Sequence, residues 1–586
     1  MNYNLNQAGD KGQKTSTYTA LKNLLKFMVN EQRNLLVALC AILVNTTLNL
    51  LGPYVIGRTI DRYVQHKQFA GVLEFSGILL GMYLAGLFTS YFQTKLMGGV
   101  GQRMLFALRN AIFEKLQTLP VAFFNANKAG DLISRVNNDT DKINTFFSQS
   151  LMNFIGSIAT MIGAGFFLLI INVRLGAAAL IPGVFILLFT RVFSPWVKKK
   201  NAQNMKSVGG MSAEIQESLN NFKVIIAFNR RDYFRKRFAE ANQQNYATAI
   251  TAGLANNIFL PVYSMFSGLA QLIVLSYGIY LISTGSFTVG LLVSYIAYAT
   301  NFYNPLRQLA ALWTSFQVAM AGWDRVAQIL SMDTDLVTVS DKSEMVSTAL
   351  IEFRNVHFGY VEGKEILHDI SLQLERGKTY AFVGPTGGGK TTTASLIARL
   401  YDPSKGTVLL NGRDIRSYEA KDRARKIGFI LQEPFLFTGT VKDNILYGNE
   451  LYRDYTNEQL EQVIKEAKLE SLLGIFESGL ETKVTSGGDS ISLGQKQLIA
   501  FMRAVLRNPE VLILDEATAN IDTVTEQLLE DILKQLPETT TRIIIAHRLN
   551  TIENADEIYF VNAGEVVRAG SFKDAIDKLL HHKRVS

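Results

Sequence analysis

Cysteine is almost missing from this sequence of 586 residues: there is one, Cys40, inside an apolar run. A single thiol excludes a disulfide framework and a cysteine-based zinc site within the chain, so nothing points to an oxidising compartment. A small buried or lipid-facing side chain is the plain reading of Cys40. Asp and Glu are absent from the depths of the long apolar stretches, which argues against a proton relay built from carboxylates. No basic run is interleaved with aromatics, so the formal net charge of +8 does not describe a nucleic-acid surface. Residues 1–16 are polar, with no apolar core and no small-residue cleavage site. No signal peptide is expected there, and the first apolar helix must act as its own anchor.

What is present is apolar. Such residues make up 48% of the chain, high for a soluble enzyme, and almost all of the excess lies before about residue 315. The length suggests two to four domains. Basic residues gather at the ends of apolar segments (Lys198, Lys199 and Lys200; Arg230, Arg231, Arg235, Lys236 and Arg237), a placement that suits a membrane surface.

Six stretches are long and apolar enough to cross a bilayer, which takes about 20 residues of helix. They fall at 34–56, 73–94, 150–171, 175–195, 258–283 and 287–310, with runs such as LLVALCAILV and AALIPGVFILLF. An even number of crossings puts both ends on one side. The connections after the third and fifth crossings are only a few residues (172–174 and 284–286), whereas those after the second and fourth run to about fifty and are rich in Lys and Arg. The positive-inside rule makes the long connections and both ends cytoplasmic, although Arg58, Arg62 and Lys67 in the first outer loop soften the bias. The segment from Ala213 to Asn245 keeps helical periodicity without proline, and compact domains avoid unstructured loops of that length. The membrane helices are therefore expected to continue into the cytoplasm, with short turns near Phe124–Gly130 and Glu214–Phe222. Before the first crossing, TALKNLLKFMV has amphipathic spacing, open to a helix lying on the membrane or an ordinary cytoplasmic one. Polar residues within the crossings (Asn45, Thr46, Thr47 and Asn49; Asn256 and Asn257; Tyr295, Tyr298, Asn301, Tyr303 and Asn304) either line a cavity or join helices by hydrogen bonds.

From about residue 340 short β-branched strands alternate with helices, the pattern of an α/β domain with a largely parallel sheet. Gly384, Pro385, Thr386, Gly387, Gly388, Gly389, Lys390 and Thr391 follow the strand-like TYAFV and open a helix beginning with Thr392, the context a phosphate-binding loop requires. Its glycines let backbone N–H groups curl around phosphate oxygens at a helix N-terminus. Lys390 reaches the β- and γ-phosphates, and the Thr391 hydroxyl suits Mg²⁺. About 120 residues later the apolar run VLILD ends in Asp515 and Glu516, two acids at the tip of a parallel sheet, where such folds hold ligands. Asp515 suits Mg²⁺ coordination, and Glu516 is placed to orient or deprotonate an attacking water.

The order of these motifs resembles an ATP-binding cassette domain. With six preceding crossings, the chain beyond its first 15 or so residues is similar to an ABC exporter half-transporter. That resemblance implies an α-helical transmembrane bundle of six spans followed by an α/β P-loop ATP-binding cassette domain. It divides the chain into a polar N-terminal tail (1–16), a transmembrane domain with long cytoplasmic helical extensions (17–315), a linker (316–349) and the cassette (350–586). It also implies roles. Tyr360 in HFGY stacks on adenine, and Gln432 in LQEPFLF contacts Mg²⁺ and the transmembrane domain. Ser492, Gly494 and Gln495 occupy the signature position, Asp522 closes the loop after the acids, and His547 in IIIAHRLNTI is the switch histidine. Two cassettes of this family close head to tail around two ATP, so the unit is a dimer whose catalytic set is Lys390, Glu516 and His547.

The family signature most often reads Leu-Ser-Gly-Gly-Gln, and this chain reads Ile-Ser-Leu-Gly-Gln, with Leu493 where glycine lets backbone approach phosphate closely. Residues 485–489 (TSGGD) also lack the acidic residue usual in the preceding segment. Paired with intact Glu516 and His547, this favours a heterodimer with a second, different half-transporter; a tolerant position 493 and a homodimer is the alternative. The expected activity is ATP-driven export of hydrophobic or amphipathic compounds of the multidrug type. The expected setting is the inner (cytoplasmic) membrane, multi-pass, with the cassette in the cytoplasm. ATP and Mg²⁺ are the expected cofactors; a partner chain, membrane lipid and a hydrophobic small molecule are the expected partners, and nucleic acid is not. Lipid flipping, peptide export, siderophore uptake and ATP-gated channel or sensor function compete on the same architecture. An intact Glu516 speaks against a pure gate.

Overall fold

Backbone N–H and C=O groups that enter hydrocarbon must be paired within their own segment, so the apolar first half of the chain folds into helices. The computed structural model describes residues 3–5, 17–334, 336, 338–340, 349–361, 363–485, 491–515, 523–545 and 554–569. These form two compact units. One holds the long helices; the other joins residues 3–5 and 117–129 to the C-terminal α/β domain.

The helices run in order α1 (Thr17–Lys26), α2 (Gln32–Val64), α3 (Phe69–Thr118), the short α4 (Val121–Ala126), α5 (Ala129–Ile171), α6 (Val173–Asn220), the short α7 (Phe222–Ala227), α8 (Arg231–Ser283) and α9 (Val289–Leu330). Five of them, α2, α3, α5, α6 and α8, are long and apolar enough to cross a membrane. The sixth long helix, α9, has 42 residues but is less apolar, because the expected sixth crossing carries Tyr295, Tyr298, Asn301, Tyr303 and Asn304. The expected turn near Glu214–Phe222 falls at its far end: α6 continues to Asn220, and Asn221 closes it by donating from Nδ2 to the Glu217 carbonyl (2.9 Å).

The polar residues of the crossings divide between the two roles left open by the sequence. The α9 tyrosines join helices. Tyr298 donates to the Leu50 carbonyl of α2 (2.7 Å) and Tyr303 to the Ala179 carbonyl of α6 (2.7 Å). Tyr295 donates to the carbonyls of Leu168 and Asn172 at the end of α5. All three rings are buried. By contrast, Asn45 and Asn49 line a cavity of about 370 Å³ between α2 and α3, together with Gly52, Met82, Tyr83 and Ser90. Cys40 is exposed on α2, the lipid-facing alternative for that residue.

The start of α9 is seated tightly on α2. A Cβ on Gly290 would lie 2.0 Å from the Gly57 carbonyl, so two small residues let the backbones touch. Asp61 then accepts from the Gly290 amide (2.7 Å) and the Thr288 hydroxyl (2.5 Å), placing a carboxylate at the positive end of the α9 dipole. Towards the other end of α9, Arg325 pairs with Asp131 and Asp139 of α5, and buried Arg135 donates to the Arg325 carbonyl (2.7 Å). Two charges of each sign thus pair, with Arg135 and Asp139 buried and Arg325 and Asp131 partly exposed.

The α/β domain is built on a six-stranded sheet ordered β12-β11-β3-β10-β9-β6. In chain order its strands are β3 (Thr379–Val383), β6 (Ile427–Ile430), β9 (Val511–Asp515), β10 (Thr541–Ile545), β11 (Glu557–Asn562) and β12 (Glu565–Ala569). All pairings are parallel except β11 with β12. TYAFV and VLILD are buried at every position, as strands covered on both faces must be. A second, antiparallel sheet ordered β2-β1-β4-β5 comprises β1 (Ala349–Phe358), β2 (Leu367–Glu375), β4 (Lys405–Leu410) and β5 (Arg413–Asp414). Its helices are α10 (Lys390–Ile397), α11 (Ala420–Lys426), α12 (Val441–Ile445), α13 (Asn457–Glu466), α14 (Glu470–Leu473), α15 (Leu493–Val505) and α16 (Thr523–Gln535).

Within the stretch read as a polar tail, Tyr3 and Leu5 are buried. The Asn127 side chain accepts from the Leu5 amide (3.0 Å) and donates to the Tyr3 carbonyl (2.8 Å), while the Tyr3 ring meets Phe123 of α4 edge-on.

Removing the Tyr298 hydroxyl tests the joining role. Tyr298→Phe should cost about 0.6 kcal/mol, the average for an interhelical hydrogen bond in membranes, and Tyr298→Ala about 3–5 kcal/mol through the cavity it leaves. Thermal melts in detergent check the pair; a Phe variant as unstable as the Ala variant contradicts the assignment.

Candidate active site

The strand–loop–helix read from the sequence is formed by β3, residues 384–389 and α10. Gly384, Gly387 and Gly389 have φ of 147°, 82° and 115°, where L side chains are strained. Gly384 and its loop neighbour Gly388 are also needed for space. A Cβ on Gly384 would stand 2.0 Å, and one on Gly388 2.5 Å, from the Val561 carbonyl at the end of β11. The Gly564 amide in the β11–β12 turn donates to the Gly388 carbonyl (3.1 Å). The loop is therefore moulded against the sheet edge, and its concave side is the ring of N–H groups at the start of α10.

Lys390 is buried and folds back along the loop, donating from Nζ to the carbonyls of Gly384 (2.9 Å) and Pro385 (3.0 Å). Its ammonium thus sits in the hollow that a terminal phosphate of a nucleotide would fill. Thr391 donates from its hydroxyl to Asp515 Oδ1 (3.0 Å), which brings the first turn of α10 and the tip of β9 together across the sheet. Asp515 is buried, and among the described residues no cluster of three or more His, Cys, Asp or Glu stands elsewhere to hold a metal ion. A hydroxyl and one carboxylate at this spacing fit a cation that completes its shell with phosphate oxygens and water.

Tyr360 bonds hydroxyl to hydroxyl with Thr392 (3.2 Å) and packs edge-on against Phe358 and Tyr401, yet 48% of its surface is free to take a base. Pro385 and Thr386 are exposed in the loop. Gln432 is exposed, and its carbonyl accepts from the Gln497 side chain (3.3 Å). Ser492, Gly494 and Gln495 stand at the start of α15, away from the loop in sequence. Ser492 and Gln495 cap that helix reciprocally: the Ser492 hydroxyl accepts from the Gln495 amide (3.2 Å), and Gln495 Oε1 accepts from the Ser492 amide (2.9 Å). Leu493 occupies the first helical position with its side chain 38% exposed. Glu516, Asp522 and His547 lie outside the described residues. The strands that lead to them, β9 and β10, end in register with Asp515 beside Ile545.

Sequence reasoning missed Val561 and Gly564, which shape the loop from 170 or more positions away. The one signal available was Asn562-Ala563-Gly564, a turn sequence between two β-branched runs. Tyr401 and Asn125, which bond to each other beside Tyr360, left no signal in spacing at all.

A phosphate loop, a threonine–aspartate pair and an exposed aromatic define a P-loop ATPase, here on a chain with membrane-crossing helices. Residues 35–306 match the ABC transporter transmembrane region family and residues 367–519 the ABC transporter family. The chain is 32% identical to the ABC transporter ATP-binding protein YfiC of Bacillus subtilis, over 96% of this chain and 92% of that protein. It is 32% identical to a fatty acid ABC transporter ATP-binding/permease protein of Mycobacterium tuberculosis, over 87% and 80%. It is 30% identical to a multidrug resistance ABC transporter ATP-binding and permease protein of Lactococcus lactis, over 85% and 84%. The chain belongs to the ABC transporters: it is an ATP-hydrolysing, multi-pass membrane transporter of the exporter type, with membrane region and ATPase fused.

Gly387, strained but open, and Gly384, strained and crowded, separate space from strain. Gly387→Ala has open room and should weaken ATP binding about tenfold, the effect of roughly 1–2 kcal/mol of left-handed strain. Gly384→Ala adds a collision with the Val561 carbonyl and should lose at least about tenfold more. Fluorescent-nucleotide titration of the purified chain checks the order, and equal losses contradict it.

Proposed function

We propose that this chain is one half of a dimeric exporter that moves hydrophobic or amphipathic compounds out across the cytoplasmic membrane, powered by ATP with Mg²⁺. The observation that carries the reading is the Thr391–Asp515 bond beside Lys390, a nucleotide–metal site on the same chain as six long helices. In the proposed cycle the 384–389 loop wraps the phosphates, Lys390 neutralises the terminal ones, Thr391 and Asp515 hold Mg²⁺ with Gln432 contributing, and Tyr360 stacks on adenine. Glu516 orients or deprotonates the attacking water, and His547 contacts the terminal phosphate; Asp522 closes the loop behind them. Cassette closure is passed to the membrane helices through α4 and α7, the two short helices at the ends of the long extensions.

Substrate class rests on the cavity between α2 and α3, where two asparagines, a tyrosine and a serine stand among apolar side chains. Such a lining suits an uncharged or weakly charged amphiphile. Relatives named for multidrug resistance and for fatty acid transport fall in that range.

The second subunit is proposed to be a different half-transporter. Ser492 is already set as the cap of α15, but the neighbouring Leu493 puts an exposed branched side chain at the helix start that would meet the other chain's γ-phosphate. This chain then supplies Lys390, Asp515, Glu516 and His547 to the hydrolysing site and an obstructed signature to the other.

Inside-out vesicles containing this chain and its partner should take up the dye Hoechst 33342 with ATP, and Glu516→Gln in this chain should abolish uptake. Uptake that survives while ATPase is lost contradicts coupled export. In a dimer of two copies of this chain joined in tandem by a flexible linker, Leu493→Gly in both copies should raise ATP hydrolysis roughly tenfold, about 1.4 kcal/mol of restored transition-state contact. No change at all contradicts the obstructing role of Leu493.

A further inference from the structure

Residues 117–129 pack with the α/β domain as one unit, and within it Asn125, on the short helix α4, donates from Nδ2 to the Tyr401 hydroxyl (2.7 Å). Tyr401 is held by the nucleotide machinery itself. The phosphate-loop helix α10 ends in a Schellman cap: the Leu400 amide donates to the Ser395 carbonyl (2.9 Å), the Arg399 amide to the Leu396 carbonyl (3.1 Å), and Arg399 turns left-handed at φ 52°. A largely buried ion pair from Arg399 to Asp402 (2.9 Å) brackets Tyr401 on this turn. The ring is thereby set against Tyr360 at 5.0 Å and 79°, and against Phe358 at 5.5 Å, completing a three-ring cluster. Tyr360 in turn bonds through its hydroxyl to Thr392, in the first turn of the same helix.

One helix therefore presents phosphate ligands at its N-terminus and, just past its C-terminus, the tyrosine that buttresses the base-stacking ring. Burial pushes the Tyr401 hydroxyl above the ordinary phenol range, against the pull of Asn125, so it is a neutral acceptor at pH 7. On the other side, α4 is fastened through Asn127 to residues 3–5, which leaves Asn125 as the side chain that reaches towards the nucleotide site.

We propose that Tyr401 is a positioning residue that couples nucleotide occupancy at Tyr360 to the placement of α4 through its bond with Asn125. The inference rests on reading Tyr360 as the base-stacking residue. A base laid on Tyr360 fixes that ring, its edge contact fixes Tyr401, and the hydroxyl then holds α4 in one position. Linkage makes the effect mutual: whatever factor the bond adds to the ordering of α4 by ATP, it adds equally to the binding of ATP.

The test uses the full chain with Cys40→Ser and Ala126→Cys, so that one bimane label reports from exposed Ala126 at the end of α4. ATP with Mg²⁺ is titrated while binding is followed separately by equilibrium dialysis. The parent should give a label response that saturates with binding. Tyr401→Phe keeps all three rings and removes only the acceptor; it should cut the response at least in half and weaken ATP binding about threefold, the worth of one hydrogen bond. Asn125→Ala should do the same, and the double variant should be no worse than either single, because both act through one contact. A parent that binds ATP without a label response, an undiminished response in Tyr401→Phe, or additive losses in the double variant overturns the coupling alone. A parent that binds no ATP overturns the nucleotide-site reading and this inference with it.

Discussion

A polar side chain in hydrocarbon has to find a partner within the protein, because water cannot supply one. In this chain that constraint selects the centre of the helical unit. The three buried tyrosines of α9 each donate to a backbone carbonyl, at Leu50 of α2, Leu168 of α5 and Ala179 of α6, so a less apolar helix is tied to three others. The glycine contact with α2 and the Asp61 cap fasten one end of α9, and the Arg325–Asp131–Asp139 cluster fastens it further along, beyond the crossing. Each is a polar or close-packed contact between helices that an apolar surface alone could not specify.

The nucleotide site obeys a related rule at smaller scale. Its loop takes up left-handed backbone at three glycines, and the β11–β12 hairpin presses close enough that a methyl at Gly384 or Gly388 would collide. Strain and crowding are tolerated because buried β3 on one side and α10 on the other leave the loop no alternative path. The result is a preorganised cradle in which Lys390, Thr391 and Asp515 already converge.

How much of this was legible depended on whether the physics is local. Membrane crossings and the 384–391 loop are written in contiguous residues, since hydropathy and phosphate cradling each need a short run of particular types. Asp515 was readable as the end of a buried strand and Thr391 as the end of the loop, but their direct bond was not. Whether Tyr298 or Asn45 faces a cavity or another helix was not legible, because that depends on helix rotation set by distant neighbours. Nor was the burial of Tyr3 and Leu5, which comes from a single asparagine 122 positions or more away. The second cytoplasmic turn falls at the far end of its expected range because helical periodicity runs on through Glu214 to Asn220 without a break. The substrate is unwritten for a further reason: apolar cavities are assembled from side chains on separate helices and have no motif.

We propose an ATP-driven half-transporter that works with an unlike partner. Native mass and ATP hydrolysis, measured together on the chain purified alone in nanodiscs, test it most directly. An unlike pair gives, for this chain alone, a monomer or a dimer that barely hydrolyses ATP, with full activity appearing when a second half-transporter is co-expressed. A fully active dimer of two identical chains, silenced by Glu516→Gln, would contradict it.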